Sequence, residues 1–310
     1  MRDCLLALAL LAASPSALAQ ASPSPAQLPR TPDGRPDMQG FWASHFMTSL
    51  ERPDGVAGLV VAPAQVGDVL KKLTPDKQVV YDPEFDVNPL SNALLEINGE
   101  LRSSMLVKPD DGKLPYTSIA QAAIEHFKRS FDNPEDRPGS ERCIDSLNYP
   151  PFQLADENVP HQVVQTPGAI VITTEDLDAA RIIMLGGPIA PDALRSLAGT
   201  SRGRWEGDTL VVETDHFAIT DPRGFAWRGE ALVTADSRVL ERFRLLSADQ
   251  LLYQFTIEDP SLYKAPWLAE YVMRRSAHPV YEYACHEGNY AISNILRAAR
   301  MGLQKEKPKP

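Results

Sequence analysis

After Pro160 the chain alternates apolar and polar residues with a period of two, and this pattern constrains the fold more than any other feature. It runs through β-branched and aromatic stretches such as GRWEGDTLVVETDHF, residues 203–217, which short turns separate. Residues two apart on a strand face the same side of a sheet, so Leu210, Val212 and Thr214 predict one buried face. About eight such strands in succession predict an antiparallel meander, which avoids exposed edges by closing into a barrel.

Other regions of the chain depart from this period. Residues from about 51 to 160 are rich in proline and acids and their periodic stretches are helical, so we expect a partly helical insertion that covers the sheet. From Asn289 the apolar residues recur at helical spacing, which predicts a C-terminal helix. Residues 20–37 predict an extended, proline- and serine-rich lead-in. The predicted fold class is therefore mainly β, with residues 38–310 forming one antiparallel barrel or strongly curved sheet.

The first strand of this domain begins with Gly40-Phe41-Trp42. The tripeptide is similar to the Gly-x-Trp opening of lipocalin-like (calycin) barrels, in which the tryptophan closes the barrel floor under an arginine from a late strand. The resemblance implies a calycin-like barrel with Arg274 or Arg275 above Trp42. An ordinary core tryptophan at the start of a strand is the alternative. A barrel of about eight strands has room for one small ligand.

Three longer strings carry a second resemblance. They are GRWEGDTLVVETDHF, then ERFRLLSADQLLYQFTIEDP with APW after it, and YEYACHEGNY followed by ILRAAR. Together with PDMQGFW at the start of the domain, they resemble an uncharacterised family of exported bacterial proteins. The chain departs from that family at Gly199-Thr200-Ser201, where its members often carry Gly-His-Ser. The resemblance implies export and a β-rich fold, and it implies no activity.

Residues 1–19 are typical of a secretory signal peptide. Arg2 precedes an apolar run, and small residues stand before the expected cleavage site after Ala19. The run is shorter than the ~20 apolar residues of a membrane helix, so we expect no membrane span and a periplasmic or secreted protein. The net charge of −10, without a basic stripe, argues against nucleic acid as a partner and leaves a small-molecule ligand open.

Three cysteines occur in the sequence, and Cys4 lies within the expected signal. In an oxidising compartment the other two, Cys143 and Cys285, predict one disulfide. Two buried free thiols are the alternative, because sequence alone does not show that the two residues come close.

The stretch YEYACHEGNY holds one candidate for acid–base chemistry. If it forms a strand, Glu282, Ala284 and His286 share one face. A half-buried histidine titrates near neutral pH and a neighbouring carboxylate holds its tautomer, so Glu282 and His286 would form a catalytic pair at the barrel mouth. In the alternative, both face solvent and the residues after them turn the chain into the last helix.

A second candidate catalytic pair, Asp215 and His216, ends the strand of GRWEGDTLVVETDHF, where a ligand can arrive. Glu241 falls among apolar residues on one face of a later strand. Such an acid is either a functional carboxylate with a raised pKa or half of an ion pair with an arginine such as Arg204 or Arg275, and structural ion pairs are commoner.

Two motifs in the chain are incomplete. Residues 199–203 fit Gly-x-Ser-x-Gly, but a nucleophile elbow needs a strand before it and a helix after it, and here a strand follows. His286-Glu287 lacks the second histidine of a zinc-protease helix, because Tyr290 stands in its place. The six histidines lack the spacing of a local metal site. No metal or cofactor is therefore expected, unless distant segments assemble a site, for instance from His45, His161 and His286.

These observations leave two functions from different classes. The first is an exported enzyme that uses cofactor-independent acid–base chemistry, as a lyase, isomerase or hydrolase, on a small apolar or aromatic substrate in the barrel. The alternative is a non-catalytic, lipocalin-like periplasmic carrier of a small hydrophobic ligand. The enzyme is favoured because the late strands carry more histidines and carboxylates than an apolar carrier requires. In either case we expect Trp42, His45, Tyr283 and Glu241 to contact the ligand.

Overall fold

The structure is a computed structural model that describes residues 28–44, 46–73, 93–137, 142–144, 150–152, 160–175, 180–186, 195–219 and 231–306. The expected signal, residues 1–19, lies outside them. The strands of the described part are β1 (Gly40–Ala43), β2 (Val60–Val61), β3 (Glu96–Ile97), β4 (Glu100–Arg102), β5 (Leu106–Lys108), β6 (His161–Gln165), β7 (Ala169–Thr174), β8 (Ala180–Leu185), β9 (Thr200–Glu206), β10 (Thr209–Asp215), β11 (Arg238–Ser247), β12 (Gln250–Glu258) and β13 (Trp267–Arg275). The α-helices are α1 (Val66–Leu73), α2 (Ser118–Arg129) and α3 (Ala291–Glu306). None of these helices is long and apolar enough to cross a bilayer.

Nine of the strands form a closed barrel. Strands β6 to β13 follow one another in chain order, and β1 closes the ring by pairing with β6 on one side and β13 on the other. Neighbouring strands are antiparallel except for β8 and β9, which run parallel over a short register. The prediction of a mainly β fold with an antiparallel, calycin-like barrel and a C-terminal helix is confirmed, with one parallel pair that the strand pattern did not indicate.

The period of two places one face of each strand in the barrel interior. In β11, Val239, Glu241, Phe243 and Leu245 are buried, whereas the residues between them, such as Arg244, are partly or fully exposed. Each buried aliphatic or aromatic side chain of this kind stabilises the fold by about 1.5–3 kcal/mol relative to an exposed position. The alternation in the sequence therefore dictates which side chains form the core.

The described part of the region between β1 and β6 contributes further strands and two helices. Its strand β5 pairs with β13, and β2, β4 and β3 form a separate three-stranded sheet. Helix α1 packs on that sheet through Val69, which shares a small apolar cluster with Val61 and Leu94. Helix α2 begins after Thr117, whose side chain accepts a hydrogen bond from the Ala120 amide. The described part of the predicted insertion is thus partly helical, with short strands as well.

The chain leaves the barrel after Arg275, and this differs from the sequence-based expectation. Residues 276–290, which include YEYACHEGNY, contain no strand. Strand β13 already pairs with β12 on one edge and with β1 and β5 on the other, so a further strand has no place beside it. Pro279 also lacks the N–H that a strand ladder needs. The prediction that Glu282 and His286 lie on one strand is therefore wrong.

Trp42 is buried beneath Arg275. The indole is fully buried, and its Nε1 donates to the Met38 carbonyl at 2.8 Å. The guanidinium carbon of Arg275, a residue that pairs with Trp42 in register, lies 4.4 Å from the ring centre. Gly40 has a φ of +118°, and a Cβ there would lie 2.5 Å from Arg275 Nη1. The geometry is that expected from Gly40-Phe41-Trp42, with Arg275 rather than Arg274 above the ring.

Candidate functional site

A carboxylate and a guanidinium are buried together inside the barrel. Glu241 of β11 is fully buried, and Arg181 of β8 is 3% exposed. Arg181 donates to both carboxylate oxygens of Glu241, at 2.8 Å to Oε1. The Tyr253 hydroxyl donates to the same Oε1 at 2.8 Å. Glu241 is thus half of an ion pair, but its partner is Arg181 and neither Arg204 nor Arg275.

Two hydroxyls hold the other side of this guanidinium. Arg181 Nε donates to Ser201 Oγ at 3.1 Å, and its Nη2 donates to Thr214 Oγ1 at 3.0 Å. Ser201 is the serine of the Gly-x-Ser-x-Gly match; it lies within β9 and is buried, so it is not an exposed nucleophile. A buried ion pair requires hydrogen bonds of this kind to offset its desolvation. We call Arg181, Ser201, Thr214, Glu241 and Tyr253 the interior network.

Phe152 occupies the barrel interior beside this network, although it belongs to the region between β1 and β6. Its backbone N–H donates to the Tyr253 hydroxyl at 3.0 Å, and its carbonyl accepts from the Tyr271 hydroxyl at 3.2 Å. Its ring centre lies 4.8 Å from that of His161 and 5.3 Å from the guanidinium carbon of Arg181. Burial raises the pKa of both tyrosines. Their hydroxyls therefore stay protonated and available as donors.

His161 is a neutral side chain of the barrel core. Its Nδ1 lies 2.8 Å from Thr174 Oγ1, and its ring packs on Phe152. Burial lowers the pKa of His161 to about 4, because the interior disfavours the charged imidazolium. The residue is thus a core histidine with one hydrogen bond, and it does not titrate near neutral pH.

Acidification is expected to destabilise the protein through His161. The unfolded chain takes up a proton near pH 6.5, whereas the folded chain does so only near pH 4. The stabilisation that neutral His161 contributes is therefore complete above pH 6.5. The free energy of unfolding falls by about 3 kcal/mol as the pH drops from 6.5 to about 4. Urea denaturation between about pH 4 and 7 measures this fall. His161→Gln should show a shallower pH dependence than the wild type, whereas His278→Gln, at an exposed position, should not; equal slopes for the two variants would contradict the assignment.

Asp215 and His216 meet at the end of β10. His216 Nδ1 lies 2.7 Å from Asp215 Oδ1, and Arg202 Nη2 donates to Asp215 Oδ2 at 2.8 Å. The side chains are partly buried, with exposed fractions of 33% for Asp215 and 13% for His216. A carboxylate that engages one ring nitrogen fixes the tautomer of a histidine and stabilises its protonated form. We call this pair the dyad.

The backbone around the dyad is held in an unusual conformation. His216 has a φ of +61°, a left-handed conformation that non-glycine residues adopt rarely. Gly199 packs against it so closely that a Cβ there would lie 2.7 Å from the Asp215 carbonyl oxygen. Arg195 also holds the backbone after His216, because its Nη1 donates to the carbonyls of Phe217 at 3.1 Å and Ala235 at 2.7 Å. Strain of this kind persists where the surrounding structure determines the conformation, and such positions cluster at functional sites.

The dyad lines a depression of about 300 Å³ on the protein surface. We call it the dyad depression. Its other described lining residues are mostly charged. They are Arg195, Ala235, Asp236, Ser237 and Arg238.

The remaining candidate residues lie elsewhere. Glu282 and His286 are exposed on the segment after β13, and Tyr283 of the same segment is 48% exposed. Cys285 of that segment is joined to Cys143 by a disulfide with a Cα–Cα distance of 5.6 Å. The structure thus brings Asp215 and His216 together in a depression and leaves Glu282 and His286 outside the barrel.

Two further expectations concern His45 and metal binding. His45 lies outside the described residues. Among the residues that are described, three or more His, Cys, Asp or Glu side chains do not come together in a group that could hold a metal ion.

Sequence reasoning missed Arg181, Arg202 and Phe152. A signal for Arg181 was present, since Arg181, Ile183 and Leu185 share one face of a strand and the arginine interrupts an apolar face, as Glu241 does. Phe152 gave no such signal, because it follows two prolines in an irregular stretch. Arg202 alternates with Ser201 and Gly203, so it was recognisable as outward-facing but not as a partner of Asp215.

No protein-family model matches the chain, and no curated protein sequence matches it either. The class of protein is therefore defined by its fold, a closed nine-stranded, calycin-like β-barrel. Because one fold hosts many functions, the function has to be argued from the chemistry of the site.

Proposed function

We propose that the protein is an exported enzyme that performs cofactor-independent acid–base chemistry at the dyad, as a lyase, isomerase or hydrolase acting on a small molecule. The observation that carries the proposal is the 2.7 Å contact between His216 Nδ1 and Asp215 Oδ1 at the wall of a depression. General acid–base catalysis needs a titratable group near neutral pH, held in a defined orientation where substrate can reach it. The dyad supplies an imidazole held in a defined orientation at the wall of a depression.

The proton transfers follow from the geometry of the pair. With its hydrogen on Nδ1 directed at Asp215, the imidazole of His216 uses Nε2 as the base. Nε2 takes a proton from the substrate, or from a water molecule that attacks it, and the Asp215 carboxylate stabilises the resulting imidazolium. Arg202 holds that carboxylate in position. Nε2 then returns the proton to the product or the leaving group, so the cycle consumes no net proton and transfers no electrons.

The lining of the dyad depression favours a polar substrate. Arg195, Asp236 and Arg238 bring charges of both signs to it. Charged side chains in a site fix the orientation of polar groups on a ligand. We therefore propose a polar substrate for the dyad depression, whereas the sequence predicted an apolar or aromatic substrate inside the barrel.

The carrier alternative receives less support from the barrel interior. A carrier of the lipocalin type needs an open apolar lumen, whereas Phe152, Tyr253 and Tyr271 fill the described lumen beside a buried ion pair. Export is supported by the disulfide between Cys143 and Cys285, since such bonds persist in oxidising compartments and are rare in the cytosol.

Turnover of an extract of small molecules tests the proposed activity. The wild type and His216→Gln are incubated with a periplasmic metabolite extract, and mass spectrometry follows which compounds are consumed. For any compound that the wild type converts, we expect kcat to fall by about 10²–10⁴-fold in His216→Gln, which removes the base, and in Asp215→Asn, which removes the carboxylate that orients it. His278→Gln, an exposed control, should convert it at the wild-type rate. Conversion by His216→Gln at the wild-type rate would refute the role of the dyad.

A further inference from the structure

Phe152 is held inside the barrel in the manner of a bound ligand. Its N–H donates to the Tyr253 hydroxyl and its carbonyl accepts from the Tyr271 hydroxyl. Its ring contacts His161, Arg181 and the ring of Tyr253. Phe152 itself belongs to no strand or helix of the described chain. The backbone of this one residue is therefore recognised by side chains, as the backbone of a peptide ligand would be.

The backbone hydrogen bonds between the strands of the barrel wall do not involve Phe152. Each of the nine strands is hydrogen-bonded to a neighbour on both sides. The Tyr253 hydroxyl is oriented by its own bond to Glu241 Oε1, which turns its oxygen lone pairs toward the amide it accepts from. A tyrosine hydroxyl can donate to an amide carbonyl or accept from an amide N–H of another molecule. The partners of Phe152 are thus fixed to the wall and suit an amide from another molecule.

If Phe152 only filled the core, apolar neighbours would serve equally well, but a buried ion pair of Arg181 and Glu241 lies beside it. A buried ion pair contributes little to stability compared with apolar residues of the same volume. Here Arg181 contacts the occupant directly, 5.3 Å from its ring centre, whereas Glu241 acts through Tyr253, whose hydroxyl accepts the N–H of the occupant. A guanidinium near a ring face and a hydroxyl on an amide are elements of recognition.

We infer that the barrel interior is a binding site for a small aromatic amide, and that Phe152 occupies it as an internal competitor. The ligand class carries its aromatic side chain on a carbon that joins an amide N–H on one side to a carbonyl on the other, because the N–H and the carbonyl of Phe152 belong to two successive peptide groups. Its ring lies between His161 and Arg181, its N–H donates to Tyr253, and its carbonyl accepts from Tyr271. This site is distinct from the dyad depression and goes beyond the proposed function.

The test uses N-acetyl-L-phenylalaninamide as the probe, with toluene as a ring that lacks the amide. Isothermal titration calorimetry compares the wild type, Phe152→Ala and Phe131→Ala, the last being the same change at an exposed ring. Phe152→Ala removes the ring that anchors the internal competitor and leaves its backbone groups, so probe binding should tighten at least about tenfold, and Phe131→Ala should bind like the wild type. In the Phe152→Ala background, Tyr271→Phe should weaken binding of the probe and leave toluene binding unchanged. Asp215→Asn should bind the probe like the wild type, which separates this site from the dyad.

Hydrogen exchange of the wild type provides a test that needs no variant. Saturating probe should speed exchange of the Phe152 amide, because the probe displaces it from Tyr253. Slow, unchanged exchange together with no heat of binding in the wild type would overturn the inference and make Phe152 a permanent part of the core. Toluene binding as tight as that of the probe in Phe152→Ala would also overturn it, since that variant would then hold only an apolar cavity.

Discussion

Replacing Glu241 with alanine is expected to lower the free energy of unfolding by about 3–5 kcal/mol, the range seen when one partner of a buried ion pair is removed. The change leaves the Arg181 guanidinium buried without a counter-charge, and it takes the acceptor from the Tyr253 hydroxyl. Urea denaturation at neutral pH measures the loss through the shift in midpoint at unchanged slope. The expected size is a large part of the ~5–15 kcal/mol by which a folded domain is stable.

Glu213 provides a matched control for this prediction. It accepts hydrogen bonds from Arg204 at 2.6 Å and Arg238 at 2.7 Å, but on the outer face of the barrel, where its side chain is 27% exposed. Glu213→Ala should cost about 1 kcal/mol or less, because exposed ion pairs contribute little. The double replacement Arg181→Met with Glu241→Leu should recover most of the loss, since it removes both buried charges. Equal losses for Glu213→Ala and Glu241→Ala would contradict the assignment of a buried, coupled pair.

Opening the disulfide is expected to destabilise the protein by a comparable amount. Cys143 and Cys285 are 142 residues apart, and closing a loop of that length restricts the unfolded chain by about 5 kcal/mol on the chain-entropy model. The double variant Cys143→Ser with Cys285→Ser should therefore unfold at a lower urea concentration than the oxidised wild type. Reduced wild type should match the double variant.

The double variant also contains its own control. The remaining cysteine, Cys4, falls within the expected signal, so a reducing agent should not alter the unfolding curve of the processed double variant. Superimposable curves for the oxidised and reduced wild type would show that the disulfide does not restrict the unfolded chain as expected. The side-chain amide of Asn289 donates to Cys143 Sγ at 3.0 Å. Faster hydrogen exchange of this amide on reduction would report local loosening.

The barrel was predictable because its signal is local and repeated. Residues such as Val239, Phe243 and Leu245 alternate along one strand, and a period of two admits only one buried face. The position of Arg275 above Trp42 was predictable to within one residue, because it follows from a short motif and a late strand. The meeting of Asp215 and His216 was also foreseeable, since the two residues are adjacent in the chain.

The strand expected for YEYACHEGNY failed for a reason that lies outside the segment. Its alternation of Glu282, Ala284 and His286 is compatible with a strand, but a strand also requires a free neighbouring edge. Closure of the barrel through β1 had already used the edge of β13. Local pattern sets which structures a segment favours, and the availability of partners decides among them.

The sequence by itself determined the period of the strands, and hence the barrel and the face that each strand buries. It also determined that an acid at residue 241 would interrupt an apolar face. Only the tertiary structure decided that Arg181, sixty positions earlier in the numbering, neutralises that acid, and that Phe152 fills the space beside it. The physical reason is that alternation depends on neighbours in the chain, whereas pairing of buried charges and filling of a lumen depend on which distant segments closure brings within contact distance.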